Sequence, residues 1–230
     1  GNVGLAAGAS FYINFFNYDP KINPNPNWRQ KHLKLKIETS YLKANLDHFG
    51  SYQAEDSQNG LKLRNMHGKT SVINLGTMIE YHPYNIPDFI TTKKRWVAPY
   101  FGLGVMGGYS MPSVTTDLGD WQDEANLIQA YHAYGSNDST VQPIDIDSKL
   151  VLSLVFGAGL RFEIDFESAL MIDMRWQYFN NDYIDGLSPN PGIVPNKYND
   201  WLYYLNVGYV FEFGENTRIS TWLKRNRRMR

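Results

Sequence analysis

The chain has 230 residues, 20% of them charged, and a net charge of −1, so its composition gives no argument for a nucleic-acid partner. Aromatic residues make up 15%, and no run of roughly 18 apolar residues occurs, which excludes a membrane-spanning helix. Cysteine is absent, which fits a protein that crosses an oxidising compartment without forming disulfides.

Seven segments alternate apolar residues with small or polar ones at a period of two, which is the signature of β-strands. In chain order they are Val3–Phe15, Leu33–Asn45, Ser71–Tyr81, Val97–Tyr109, Leu150–Phe162, Ser168–Tyr178 and Trp201–Phe213. In Leu150–Phe162 the apolar face has seven members, while the opposite face carries Ser153, Gly157 and Arg161. An apolar outside with a small, polar inside is typical of transmembrane barrel strands. The repeated pattern predicts an all-β fold, a small antiparallel transmembrane β-barrel over residues 1–213.

Polar segments rich in proline, glycine and asparagine connect these strands. Shorter connections alternate with longer ones, spanning 17–31, 82–95 and 164–167 against 46–70, 110–148 and 179–200. Outer-membrane barrels have short periplasmic turns and long outer loops, so the alternation places the long set outside and the C-terminus in the periplasm. Within the longest loop, Trp121–Tyr134 is predicted to hold a short helix.

Seven is an odd number, whereas single-chain bacterial barrels have an even number of strands. With this alternation the first strand runs from the outside towards the periplasm, so an upward strand should precede Gly1. We therefore predict eight strands in the full protein, and a seam between the first and last of the seven visible strands.

An eight-stranded barrel has an interior filled by side chains and not an open pore. The predicted inward positions carry charges of both signs: Lys34, Lys36, Glu38, Glu80, Arg161, Glu163, Asp173, Arg175 and Glu212. Because buried charges persist when they are paired, these residues predict an internal network of ion pairs. Glycines on the same face leave room for the long side chains.

Candidate chemistry is sparse. None of the five histidines has the spacing of a metal motif, so we interpret them as loop or rim residues. Asp182 and Asp185 are compatible with a Ca²⁺ site or with caps and turns at a strand end, and the absence of an EF-hand pattern favours the caps. The sequence predicts no metal and no cofactor.

Barrel enzymes place acidic, histidine and serine side chains at the outer rim. In the longest loop, such a set would comprise Asp117, Asp120, Asp123 and His132, and exposed loop acids are the alternative interpretation. No Gly-x-Ser-x-Gly motif or phosphate loop is present. We therefore predict that the chain is not an enzyme.

The C-terminal segment 214–230 is a basic tail, with no acid after Glu215. It is either a solvated tail or a docking strip for an acidic periplasmic partner or for lipid phosphates. The presence of Trp222 favours docking. The predicted partner-binding residues are Arg218, Trp222, Lys224, Arg225, Arg227, Arg228 and Arg230.

The last third of the chain carries a resemblance to a known family. The runs Asp182-Tyr183-Ile184-Asp185-Gly186 and Asn199-Asp200-Trp201, followed by the final strand, resemble the end of the PorG-like outer-membrane barrels of Bacteroidota. Pro99-Tyr100-Phe101-Gly102-Leu103-Gly104 resembles the central strand of that family. The resemblance covers most of the chain after about Ile73 and includes no catalytic residues.

The resemblance implies a small eight-stranded barrel, whose founding family member belongs to the type IX secretion system and contacts a periplasmic ring formed by a lipoprotein and its partner. We expect an outer-membrane barrel of a secretion or gliding machine that works within a hetero-complex. The barrel would anchor periplasmic components through Asn17–Lys31, through His82–Arg95 and through its tail. The alternatives are a barrel enzyme that acts on lipid or surface protein, and a stand-alone structural barrel.

Overall fold

One curled antiparallel sheet dominates the structure, a computed structural model that describes residues 4–15, 27–48, 51, 56–90, 95–127, 144–165, 168–181, 184–186 and 199–211. Its seven strands are β1 Gly4–Asn14, β2 Leu33–Asp47, β3 Met66–Tyr81, β4 Val97–Thr116, β5 Lys149–Glu163, β6 Ser168–Phe179 and β7 Trp201–Phe211. Each strand pairs with the next one in the chain, in the order β1 to β7. The chain is therefore all-β, and its sheet curls into a half-barrel consistent with a small barrel, which confirms the predicted all-β class and the seven strands.

The two edges of this sheet are β1 and β7, and no pairing joins them among the described residues. Because neighbouring strands alternate in direction, the first and seventh strands run the same way and cannot pair as antiparallel neighbours. This open edge lies where the sequence predicts a seam. The eighth strand stays a prediction, and it would have to run opposite to both β1 and β7.

Three strands extend further than the sequence pattern predicts, all towards the end of the sheet that carries the 117–148 and 180–200 connections, here called the long-loop end. There β2 reaches Asp47, β3 begins at Met66, and β4 continues to Thr116. The predicted boundaries were wrong because the outer face turns polar beyond Tyr41 and Tyr109, which removes the apolar alternation on which they relied. As a result, the connection after β2 is no longer than the one before it.

Short helices lie in the connections. They are α1 Trp28–His32, α2 Gln58–Arg64 and α3 Ile86–Ile90, with a 3₁₀ turn at Glu124–Asn126 inside the segment predicted to be helical. The first begins with a capping box, in which the Asn27 side chain accepts from the Gln30 N–H and the Gln30 side chain accepts from the Asn27 N–H. None of the described helices is both long and apolar enough to span a bilayer.

Apolar side chains close both ends of the interior. At the end opposite the long loops, the short-loop end, α3 inserts Phe89 against Tyr100 and Met171. At the long-loop end Ile184 is 3% exposed and packs with Val72 and Phe179. The interior is therefore capped by apolar contacts at each mouth. Between them lie the buried polar residues and a small apolar cluster of Met78, Met106 and Val155.

Candidate functional site

The outward face of the sheet is apolar and exposed. Leu152 is 65% exposed, Phe156 41%, Leu205 63% and Tyr209 52%, and most other outward positions of these two strands are exposed as well. A soluble protein would normally bury such residues, since monomeric proteins rarely expose large contiguous apolar patches. We call this outer surface, up to Tyr41, Ile73 and Tyr109 on the long-loop side, the apolar band.

The inward face carries the charges. Seven of the nine predicted interior residues are buried, each at most 6% exposed: Lys34, Lys36, Glu38, Glu80, Arg161, Asp173 and Arg175. Glu163 is only half-buried, because it ends β5 at the short-loop rim, and Glu212 lies outside the described residues. The distribution is the reverse of that in a soluble sheet, where charges face solvent and apolar groups form the core.

One half of the buried charge is centred on Arg175. Its guanidinium lies 2.5 Å from Glu38 Oε1 and 2.9 Å from Asp173 Oδ2, while Lys36 forms a second ion pair with Glu38. Removing charges from water costs several kcal/mol per ion unless partners replace the lost hydration. These carboxylates supply part of that replacement inside the barrel.

The other half is centred on Arg161. Its Nη2 lies 2.5 Å from Glu80 Oε2, and its guanidinium carbon lies 4.5 Å from the Tyr12 ring centroid and 4.9 Å from that of Tyr100. Stacking between two rings keeps the flat cation in place through cation–π attraction. At Gly159, an added Cβ would lie 2.6 Å from the Tyr100 ring, so this glycine makes room for the sandwich.

Neutral side chains join the two halves into one network. The Tyr100 hydroxyl donates to Asp173 at 2.8 Å, Asn206 Nδ2 donates to Asp173 at 2.6 Å, and the Ser10 hydroxyl donates to Glu38 at 3.1 Å. With these contacts every one of the seven strands contributes a side chain. Direct contacts between polar side chains therefore link all seven strands across the interior.

Beside this network, at the end of β3, lies His82. Its Nε2 is 3.6 Å from Glu80 Oε2, but burial lowers the pKa of His82 to about 4. The imidazole is therefore neutral at pH 7 and is not a counter-ion for the buried carboxylates. Instead its backbone joins two connections, since the His82 N–H donates to the His32 carbonyl at 2.8 Å.

At the long-loop end the outward face of the sheet becomes polar and its inward face becomes apolar. Tyr41, Ile73 and Tyr109 lie side by side on β2, β3 and β4, and they are the last members of the apolar band there. Beyond them the outward positions turn polar, with Met111 on β4 as the exception: Lys43, Asn45, Asp47, His67, Lys69, Ser71, Ser113 and Thr115. On the inward side Met66 and Val114 pack with Leu127 and Ile144 in a small core. Within single strands, the arrangement changes from apolar-out to polar-out.

A histidine between two acids lies in this polar extension, beyond the apolar band. His67 Nδ1 is 3.0 Å from Asp47 Oδ1, and Nε2 is 3.4 Å from Asp117 Oδ2. Hydrogen bonding to Asp47, followed by Asp117, raises the pKa of His67. Sequence reasoning missed this set because it placed Asp47 and His67 in the 46–70 connection. In the structure β2 and β3 extend far enough for the two residues to pair directly across the strands.

The predicted rim aspartates have structural roles where they are described. Asp120 Oδ1 accepts from the Gln122 N–H at 3.0 Å, and Asp123 Oδ1 accepts from the Ala125 N–H at 2.9 Å, both as turn caps. His132 lies outside the described residues, and Asp117 contacts His67. Within the part of the chain that the structure describes, no group of three or more His, Asp or Glu side chains is arranged so that it could hold a metal ion.

The resemblance residues build the closure of the long-loop mouth. Asp200 Oδ2 accepts from the Ile184 N–H at 2.9 Å, which holds Ile184 in the mouth, and Asn199 Nδ2 donates to the Tyr178 hydroxyl at 3.0 Å. Gly186, with φ +82°, accepts from the Asp145 N–H at 2.9 Å. Asp185 and Trp201 lie in the same region, whereas Asp182 and Tyr183 are outside the described residues. These contacts are those of turns and caps.

The short-loop end has an exposed basic and aromatic surface. Arg95 stacks on Tyr84, with its guanidinium carbon 4.0 Å from the ring centroid. Both residues line a small pocket with Lys34, His82 and Phe89. Trp28 and Trp96 are 57% and 71% exposed at this end. The chain also leaves β7 here; the tail residues from 212 onward lie outside the described residues.

Comparison with known proteins gives no identification: no family model matches the chain, and no curated protein matches it significantly. The resemblance to PorG-like barrels therefore stays a prediction from the sequence.

The Arg161–Glu80 pair gives a direct test of the interior network. We expect Arg161→Met and Glu80→Met each to lower the free energy of unfolding by about 3–5 kcal/mol, because each leaves one buried charge without its ion-pair partner. The double variant should recover much of that loss. Urea unfolding in lipid vesicles measures the free energy of unfolding of the two single variants and the double variant. If the loss in the double variant equals the sum of the two single losses, the pairing is contradicted.

His67 should titrate above its ordinary pKa of 6.5, with the shift depending on Asp47. An NMR titration of the imidazole in wild type and in Asp47→Asn measures this, and the variant should return towards 6.5. Because the raised pKa favours the protonated folded form, any stabilisation is present below pH 6.5 and is lost as the pH rises through the folded pKa. An unchanged midpoint in Asp47→Asn would contradict the assignment.

Proposed function

We propose that this chain is a non-enzymatic outer-membrane β-barrel that anchors periplasmic components of a type IX secretion or gliding machine. The observation that carries the membrane part is the exchange of polarity along β2, β3 and β4. Strands whose outward residues are apolar over one length and polar over the next suit a hydrocarbon layer that ends at a defined height. The long-loop end would then face outward and the short-loop end the periplasm.

Aromatic side chains support the same placement. Tyr41 and Tyr109 end the band on one side of the sheet, and Tyr178 contacts Trp201 at the long-loop end of β6 and β7, with ring centroids 4.8 Å apart. At the opposite end Trp96 contacts Phe162 at 6.2 Å. Tyrosine and tryptophan favour the two interfaces of a bilayer, where one end of the ring is apolar and the other is wet.

The anchoring role is drawn from the short-loop end and the tail. Exposed Trp28, Trp96 and Arg95 offer aromatic and basic contacts on one surface. The basic tail follows β7 from this same end, which gives an acidic periplasmic protein two points of attachment. The assignment to a secretion complex depends on the PorG-like resemblance of the final third of the chain.

The membrane part has a sharp test in one exposed residue. Leu75 is 63% exposed at the middle of β3. If it faces lipid, Leu75→Arg should lower the free energy of unfolding by about 2–4 kcal/mol in vesicles. On the exposed surface of a soluble protein the same change would be within about 0.5 kcal/mol.

The matched control is Thr115→Arg, which adds the same charge to the outward face beyond the apolar band. We expect its cost to stay below about 1 kcal/mol, because the side chain meets water or headgroups there. Equal stabilities for Leu75→Arg and the wild type would contradict a lipid-facing band.

The anchoring part is tested by a version that ends at Gly214. Affinity purification from the native membrane should lose the periplasmic partners of the full chain, while the shortened barrel still inserts. A second variant with the tail arginines and Lys224 replaced by glutamine should give the same loss, because the contact is assigned to charge. Unchanged partner recovery would contradict anchoring by the tail and favour the enzyme or stand-alone alternatives.

A further inference from the structure

Two lysines lie on the outward face of the sheet, just beyond the long-loop edge of the apolar band. Lys43 on β2 and Lys69 on β3 are both exposed, and both lie beyond the apolar band at the long-loop end. Lys43 is the next outward position after Tyr41, whereas Ser71 lies between Lys69 and Ile73. Lys43 lies opposite Ser71, and Lys69 lies opposite Asn45, so the two lysines are diagonal neighbours on adjacent strands. Such neighbours lie roughly 7–8 Å apart, well within the reach of both side chains to one anionic group.

Tyr41, at the edge of the apolar band next to Lys43, supports placing the bilayer surface at the two lysines. Tyr41 is 46% exposed within the apolar band, while its hydroxyl donates to the Ser71 hydroxyl at 3.3 Å. The ring thus lies along the apolar surface, and its polar end reaches the row that carries Lys43. A lipid whose acyl chains cover Tyr41 and Leu75 would place its headgroup beside the two ammonium groups.

The acids nearest this patch are engaged elsewhere. Asp47 and Asp117 both contact His67, at 3.0 and 3.4 Å, on the side of Lys69 away from the apolar band. The other outward neighbours are uncharged: Asn45, Ser71 and Ser113 offer hydrogen-bonding groups, while Leu5 and Met111 in the row of Lys43 are apolar. The patch therefore presents positive charge and polar groups towards whatever covers the apolar band beneath it.

We propose that Lys43 and Lys69 bind the phosphate groups of lipid A in the outer leaflet. This inference rests on the proposed membrane location and adds a specific lipid site to it. Lysine is an effective phosphate ligand as a point charge, and basic residues at a membrane surface attract anionic headgroups. The occupant is a phosphorylated lipid, because a free phosphate ion would gain nothing from the adjoining apolar surface.

Native mass spectrometry of the full chain, released from micelles containing equal amounts of diphosphoryl lipid A and phosphatidylethanolamine, tests the site. The wild type should retain lipid A preferentially, and Lys43→Gln/Lys69→Gln should retain roughly tenfold less. The matched control Arg29→Gln removes an exposed charge from α1 at the short-loop end and should retain lipid A as the wild type does. Folding of each variant is checked by heat-dependent migration in SDS gels.

Equal retention by the lysine variant and the wild type would overturn the proposal, as would an equal loss in Arg29→Gln. Displacement of lipid A by millimolar inorganic phosphate would assign the site to the free ion and overturn it as well. Monophosphoryl lipid A should be retained less than the diphosphoryl form. If the lysine variant retains lipid A normally while Leu75→Arg lowers the free energy of unfolding, only the lipid site is contradicted. If Leu75→Arg leaves the free energy of unfolding unchanged, the membrane location itself is contradicted.

Discussion

The arrangement of this barrel depends on the pairing of charges that have been removed from water. Arg175 and Arg161 each have a carboxylate within 2.5 Å, and tyrosine, asparagine and serine side chains supply further contacts. Without those partners the inward face could not be buried, because an isolated ion loses hydration worth several kcal/mol. With the charged residues paired in the interior, the apolar residues of the same strands are left on the outside as a large exposed patch, which supports the proposed membrane location.

Much of the fold follows from the sequence because one physical rule repeats seven times. Where the outward residues stay apolar, as in β5 and β7, the period-two pattern finds the strands to within a few residues at each end. It failed where Lys69, Ser71 and Ser113 replace apolar groups, since a polar strand end looks like a loop when only one face is read. The pattern in fact continues there with its faces exchanged, and Met66 and Val114 carry the apolar half.

The sequence predicts which residues face the interior, but not which of them contact one another. Alternation alone identifies Lys36, Glu38 and Arg175 as inward residues, because side-chain direction depends only on position parity. Which acid meets which base depends on register between strands far apart in the chain, and on the curvature that brings Tyr12 of β1 across to Arg161 of β5. Neither quantity is present in a local pattern, so the aromatic sandwich and the His67 contacts emerge only from the structure.

The reach of Tyr12 has a consequence for how the barrel assembles. All strand pairings join sequence neighbours, so hairpins can form early with little loop-closure entropy. The Tyr12 hydroxyl, by contrast, lies 3.4 Å from Met171 Sδ, a contact between positions 159 residues apart. We expect such contacts to form last, after the hairpins have curled together. Substitutions in the network should then mainly accelerate unfolding and leave the folding rate nearly unchanged, which makes the interior a determinant of kinetic lifetime.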